Sequence, residues 1–197
     1  MTHAKPPVTP AEVLAFWFGR SDAVDARWFK RSDAFDAAIR ARFGATVQLA
    51  LAGRLDGWAA QPPEALALIL LLDQFTRNMY RGTPAAFAGD AQALTLALQL
   101  VHSGEHLRLP PLQRWFAYLP LEHAEDLTLQ QQCVHLFEAL AAEEGPHREA
   151  LAGALDYARR HHDVVARFGR FPHRNAILGR ASTAEEAAFL LQPGSSF

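Results

Sequence analysis

Three stretches of the chain gather carboxylates, arginines and histidines at spacings that can do chemistry. The first is Asp73, Arg77, Asn78 and Arg81; the second is Glu122, His123, Glu125 and Asp126; the third runs from His161, His162 and Asp163 through Arg167, Arg170, His173 and Arg174 to Asn175. Arginine offers a planar fork to carboxylates and phosphates, and a histidine beside a carboxylate can move a proton near neutral pH. Brought together at one end of a helix, these stretches would form a cleft for a small anionic molecule. Its lining would be Asp73, Arg77, Asn78, Arg81, Glu122, Asp126, Arg170, Arg174 and Asn175, with His123 and His173 as candidate catalytic groups. His123 is chosen because it stands beside three acids at an expected helix start, His173 because it lies in a loop between arginines.

A plainer reading uses the same residues. Asp73, Glu122, Glu125, Asp126 and Asp163 could neutralise Arg77, Arg81, Arg167, Arg170 and Arg174 one for one, as a structural ion-pair network. Breaking a buried pair in such a network costs about 3–5 kcal/mol, because the other charge is stranded. Both readings stay open on sequence alone. His162 falls on the apolar face of its expected helix and reads as a core histidine.

Other chemistries find less support. Cys133 is the single cysteine, so no intramolecular disulfide forms, and its apolar neighbours mark a buried thiol. No glycine-flanked serine elbow and no glycine-rich phosphate loop occurs. Glu122 and Asp126, like His123 and Asp126, are one helical turn apart, but no HExxH motif is present; His102 and His106 are separated by a helix-ending Ser103-Gly104. No metal and no cofactor is expected. The net charge of −2 over 197 residues, with acids and bases intermixed, offers no nucleic-acid surface. The longest apolar run, Ala65 to Leu72, falls far short of the ~18 residues that suggest a membrane span. Met1 to Thr9 lacks the apolar core of a secretory signal, so the expected location is cytoplasmic.

The elements that must position these residues read as helices throughout. The central one is Glu64 to Gly82, aliphatic on every side from Leu66 to Leu72 and then polar. Thr9-Pro10-Ala11-Glu12 opens a first helix that stops at Gly19, and Ser21 or Asp22 can cap a second bearing Trp28 and Phe29. Phe35, Ile39, Phe43, Val47 and Leu51 form a stripe crossing Gly44, which should kink or divide its helix. Asp90 caps a helix ending at Gly104. Pro120 precedes one long helix from Leu121, Pro146 starts another ending at Gly169, and Ser182-Thr183-Ala184-Glu185 offers a capping box for the last. The fold class is therefore all-α: about nine helices in antiparallel hairpins around a central buried helix, forming one domain over 9–191 with flexible termini at 1–8 and 192–197. The motifs FWFG, Trp28-Phe29 and RWFAY read as core packing.

Four motifs together resemble an uncharacterised bacterial family, a domain of unknown function. They are FWFG at Phe16 to Gly19, LLLDQFTRNMYRGTPAAFAGD at Leu70 to Asp90, LPLEHAEDL at Leu119 to Leu127 and RFGRFPHRNAILGR at Arg167 to Arg180. The resemblance covers roughly Val13 to Leu191 and implies an all-helical, tetratricopeptide-like fold, with no activity or site residue attached. Thr76, Ala124 and Ala184 stand where the family pattern implies proline, serine and proline, and Thr76 should relax a kink in the central helix.

Three functions fit. The first is a binding domain for a small anion. The second is a tetratricopeptide-like module holding a protein or peptide in a concave surface. The third is a hydrolase or transferase with His123 or His173 as general base. The residues leave the oligomeric state undefined.

Overall fold

The computed structural model describes residues 8–19 and 23–195, and among these every regular element is helical. The first helix, α1 (Pro10–Phe18), carries the expected capping box of Thr9 and Glu12 and ends at Gly19, whose φ of 69° suits only glycine. Ser21 and Asp22 lie outside the described residues. Trp28 sits in a single 3-10 turn (Ala26–Trp28) and donates its indole N–H to the Trp17 carbonyl at 2.8 Å, which ties this turn to α1.

The next helix, α2 (Asp33–Leu51), is capped by Ser32 and runs unbroken through Gly44. The expected kink is absent. A Cβ at Gly44 would stand 3.6 Å from Met79 Cε, an ordinary packing distance, so neither the helix backbone nor its approach to the central helix depends on the glycine. Phe35, Ile39, Phe43 and Val47 face the core as the stripe implied.

The central helix begins as α3 (Pro62–Ile69), passes into a π-helical stretch (Leu70–Phe75) and returns to α geometry in α4 (Thr76–Met79). It packs against α1 and α2 and against two later helices, α5 (Asp90–His102) and α6 (Pro111–Glu122). Every residue from Ala65 to Thr76 is buried. Thr76 does not restore a regular ladder. Its hydroxyl donates to the Leu72 carbonyl at 2.7 Å and the Asp73 carbonyl at 3.1 Å, serving groups that the widened turn leaves loosely paired. Gly89 lies directly on this stretch: a Cβ there would meet the Leu72 carbonyl oxygen at 2.2 Å.

Pro120 lies inside α6 rather than ahead of a helix, and α7 (Leu127–Ala141) starts only after Asp126, whose carboxylate accepts from the Leu129 N–H. A proline two residues before a helix end removes one hydrogen bond without breaking the helix. Beyond α7 come α8 (Arg148–Phe168), a 3-10 turn (Pro172–Arg174) and α9 (Ala184–Leu190). The capping box of α9 is Thr183 with Glu186, one residue later than expected, which leaves Glu185 to pair with Arg167 at 2.8 Å. Counting α3 to α4 as one helix gives eight among the described residues. The short connections between α6, α7 and α8 make these neighbours antiparallel.

Candidate functional site

In a regular helix Asp73, Arg77 and Arg81 would share one face with Gln74 and Asn78. Here the π stretch ends at Phe75 and α4 at Met79, so Arg81 leaves the helix, while Arg77 and its neighbour Asn78, about 100° apart, point to different sides; the five residues divide into two groups. Asn78 and Arg81 turn to α2, where Asp36 accepts from Asn78 Nδ2 at 2.7 Å and from Arg81 Nε at 2.5 Å. Asp73 and Arg77 stay together on the other side, at 2.9 Å.

Around Asp73 the chain assembles a closed polar cluster. Its Oδ1 accepts from His123 Nδ1 at 2.7 Å and its Oδ2 from the Gln74 amide at 2.6 Å. Arg77 spans the gap to α5, donating to both Asp90 oxygens at 2.9 and 3.1 Å. Glu122, the last residue of α6, brings Oε1 to 3.3 Å from His161 Nδ1, while that nitrogen donates to the Tyr157 carbonyl at 2.9 Å. The segment after α8 adds His173 and Arg174. The Arg174 guanidinium lies over the rings of Phe87 and Phe171, with centroids at 4.9 and 4.5 Å, and its nearest acid oxygen is Asp90 Oδ2 at 3.6 Å.

His123 caps the C-terminus of α6, so its place at a helix start is corrected by the structure. The partial negative charge of that helix end favours a cation there. It is also the rim of the cluster: its side chain is 15% exposed against 1% for Asp73. Nδ1 is held by Asp73, and no protein group among the described residues bonds Nε2.

Burial dominates the titration of the cluster. It would raise Asp73, but the charge of Arg77 and the contacts with His123 and Gln74 outweigh it and hold this carboxyl well below the usual range. Glu122 has no arginine; burial, then the neighbouring Asp73 charge, push it up to about 8, so it is a neutral acid at pH 7. His123 is lowered by burial and by Arg77 against the pull of Asp73. Burial takes His161 down to about 3 and, with Arg174 beside it, His173 to about 4. Arg174 itself is pushed down to about 10 by burial and by Arg77. Two carboxyls with pKa values driven apart are the arrangement from which acid and base roles are built.

The remaining sequence candidates lie elsewhere. Asp126 caps α7 at the surface. Arg170 is bonded bidentately to Glu186 at 2.6 and 2.8 Å, and Asn175 meets Ser182, Glu186 and Arg180. Together with Glu125, which accepts from Arg180 at 2.6 Å and from the Phe171 N–H at 2.8 Å, they pin the segment that delivers His173 and Arg174. Sequence reasoning missed Asp90, treated only as a helix cap, although Gly89 is the cap and Asp90 the bridge between two arginines. It missed Phe87 and Phe171, and it chose His162 as the buried histidine of α8. His162 is instead 28% exposed beside Asp163, and His161 is the buried one. Heptad phase errs by one residue easily when Val164 and Val165 both face inward.

A family model for bacterial proteins of unknown function, DUF924, matches residues 13–194. A solved structure of a protein of unknown function from Agrobacterium tumefaciens is 39% identical, covers 92% of this chain and 96% of its own, and superposes with a TM-score of 0.81. No functionally curated protein matches the chain. The match over nearly the whole length places the chain within the DUF924 family of bacterial proteins.

Proposed function

We propose that the protein binds a small oxyanion at Arg174, with His123 at the rim of the same cluster. The observation that carries this reading is the state of Arg174. Its side chain is 8% exposed, its Nε is buried without a hydrogen-bond partner, and Asp90, 3.6 Å away, is already committed to Arg77. A buried guanidinium without hydrogen bonds is costly to the fold. Its in-plane N–H groups are the fork that carboxylates and phosphates fit.

Thermal unfolding of the purified protein against carboxylates, phosphates and nucleotides tests the reading. A ligand at about 100 times its Kd adds ~2.7 kcal/mol, a rise of roughly 5–10 °C for a chain of this length. The rise should vanish in Arg174→Met. No shift with any anion would return the cluster to a purely structural role.

The Asp73–His123 hydrogen bond favours a second reading, acid–base catalysis in a hydrolase or transferase. An ionised carboxylate holding Nδ1–H orients the ring and leaves the Nε2 lone pair facing outward, the relation between base and orienting acid in hydrolase triads. Turnover of the bound ligand that survives His123→Ala would sink it. A tetratricopeptide-like interaction surface draws less support. The exposed large hydrophobics Phe29, Leu107, Tyr157 and Leu191 are spread over separate elements rather than along one helix face.

A further inference from the structure

The cluster is electrically balanced before any ligand arrives. Arg77 and Arg174 are positive, Asp73 and Asp90 negative, Glu122 is a neutral acid and the three imidazoles are neutral. An anion docking on Arg174 therefore adds one uncompensated negative charge to a site with little water. Separating that charge from a counter-charge in such surroundings is unfavourable, and the available remedy is a proton. Three imidazoles face the site, and their settings differ. His161 on α8 has Nδ1 committed to the Tyr157 carbonyl and its side chain 5% exposed. His173 adjoins Arg174, whose charge opposes a second cation. His123 at the end of α6 faces Asp73 from the π stretch, Arg77 from α4, His161 from α8 and Arg174 from the segment after α8; both arginines oppose a cation there, but it alone has an ionised carboxylate 2.7 Å behind it to stabilise an imidazolium.

We propose that the site takes up a proton with its anion, that the proton passes from solvent to His123 Nε2, and that the resulting N–H donates to the bound oxyanion. The ligand class this selects is a singly charged oxyanion of the carboxylate type; a dianion brings a charge that one proton cannot offset. The proposal rests on the anion-binding reading above.

Calorimetric titration of the full-length protein with acetate, lactate, inorganic phosphate and sulfate tests it. Each is run in two buffers of different ionisation enthalpy, at about pH 6 and about pH 8. The expected result is carboxylate binding with uptake of about one proton per anion and weaker affinity at the higher pH. His123→Gln should bind more weakly and take up none, while His173→Gln should keep the uptake. Uptake that is absent in the unsubstituted protein, unchanged in His123→Gln, or abolished by His173→Gln overturns the proposal, as does a preference for sulfate, or for phosphate at about pH 8, where it is mainly a dianion. If none of the anions that shift unfolding, nor any of these four, binds the unsubstituted protein, it is the anion-binding reading that fails instead.

Discussion

The central helix ends in two polar clusters only a turn apart, and they differ in how completely their groups are satisfied. On the α2 side, Asp36 receives Asn78 and Arg81, and every partner is a hydrogen-bonding side chain at 2.5 to 3.0 Å. On the α6 side, Asp73 is equally well held, yet around it Glu122 Oε2 and Arg174 Nε are buried without partners. The first is what a structural ion pair looks like when it is complete. The second keeps unsatisfied polar atoms, which cost stability and are found where a fold serves something besides itself. The chain tolerates the second because the first and the surrounding core hold the helix in place.

The contact between Gly89 and the π stretch gives the largest expected effect. Gly89→Ala would drive a Cβ to 2.2 Å from the Leu72 carbonyl, backbone against backbone, with no flexible side chain to yield. We expect a loss of about 4 kcal/mol or more, on the scale of severe core substitutions, or failure to fold, measured by urea unfolding. A stable Gly89→Ala variant would mean that the π stretch, or the turn carrying Gly89, can shift to make room.

The next effect is the pH profile of stability, to which the α6 side contributes three histidines and a glutamate. His161 at about 3, His173 at about 4 and the lowered His123 all have folded pKa values below the unfolded 6.5. The unfolded chain then binds more protons in that window, so stability is lost as pH falls below about 6.5. Glu122 at about 8 against an unfolded 4.5 has the opposite sign, and its contribution is lost as pH rises toward 8. Stability should peak near neutral pH and fall on both sides, by at least about 1 kcal/mol each for His161, His173 and Glu122. Glu122→Gln should flatten the decline above about pH 6.5 and steepen the loss below it, where the Glu122 titration partly offsets the histidines. A profile unchanged by that substitution would place the alkaline titration elsewhere.

Much of this arrangement was legible in the sequence. Caps and apolar stripes marked nearly every helix because each is a local code: Thr9 with Glu12, Gly19, Gly104 and Gly169 act within one turn of themselves. Three of the four site helices were placed by such signals. The failures lie where a local rule meets a tertiary exception. Pro120 reads as a boundary but sits inside α6, which moved His123 from an expected helix start to a helix end. Nothing in the residues marks the end of the central helix at Met79 rather than Gly82, so Asn78 and Arg81 were grouped on one face with Asp73 and Arg77. Partners such as Asp36 and Asp90 are joined to their arginines across 45 and 13 residues, and spacing along the chain says nothing about such pairs.

Removing the α2 cluster should cost an intermediate amount. Asp36→Ala strands Asn78 and leaves Arg81 to solvent. Arg81 is 38% exposed and can rehydrate, so the loss should be about 2 kcal/mol rather than the larger value of a fully buried pair. The midpoint of chemical unfolding should fall with no change in its slope. A loss below about 0.5 kcal/mol would mean that this cluster is a surface ion pair of little consequence.

Arg174→Met should give the smallest change and the opposite sign. Methionine keeps an apolar stem against Phe87 and Phe171, so packing is largely retained while a buried cation without hydrogen bonds is removed. Asp90 keeps both bonds from Arg77, so no carboxylate is stranded. The lost cation–π contacts, about 0.5–2 kcal/mol, oppose the relief of the buried charge, and the net should lie between no change and a gain of about 1 kcal/mol. A removal that stabilises the α6 side, set against one that destabilises the α2 side, separates a group kept for a ligand from a group kept for the fold. If Arg174→Met instead lost as much as Asp36→Ala, the two clusters would be doing the same structural job. The unpartnered Nε would then be a minor flaw in packing rather than the mark of a binding site.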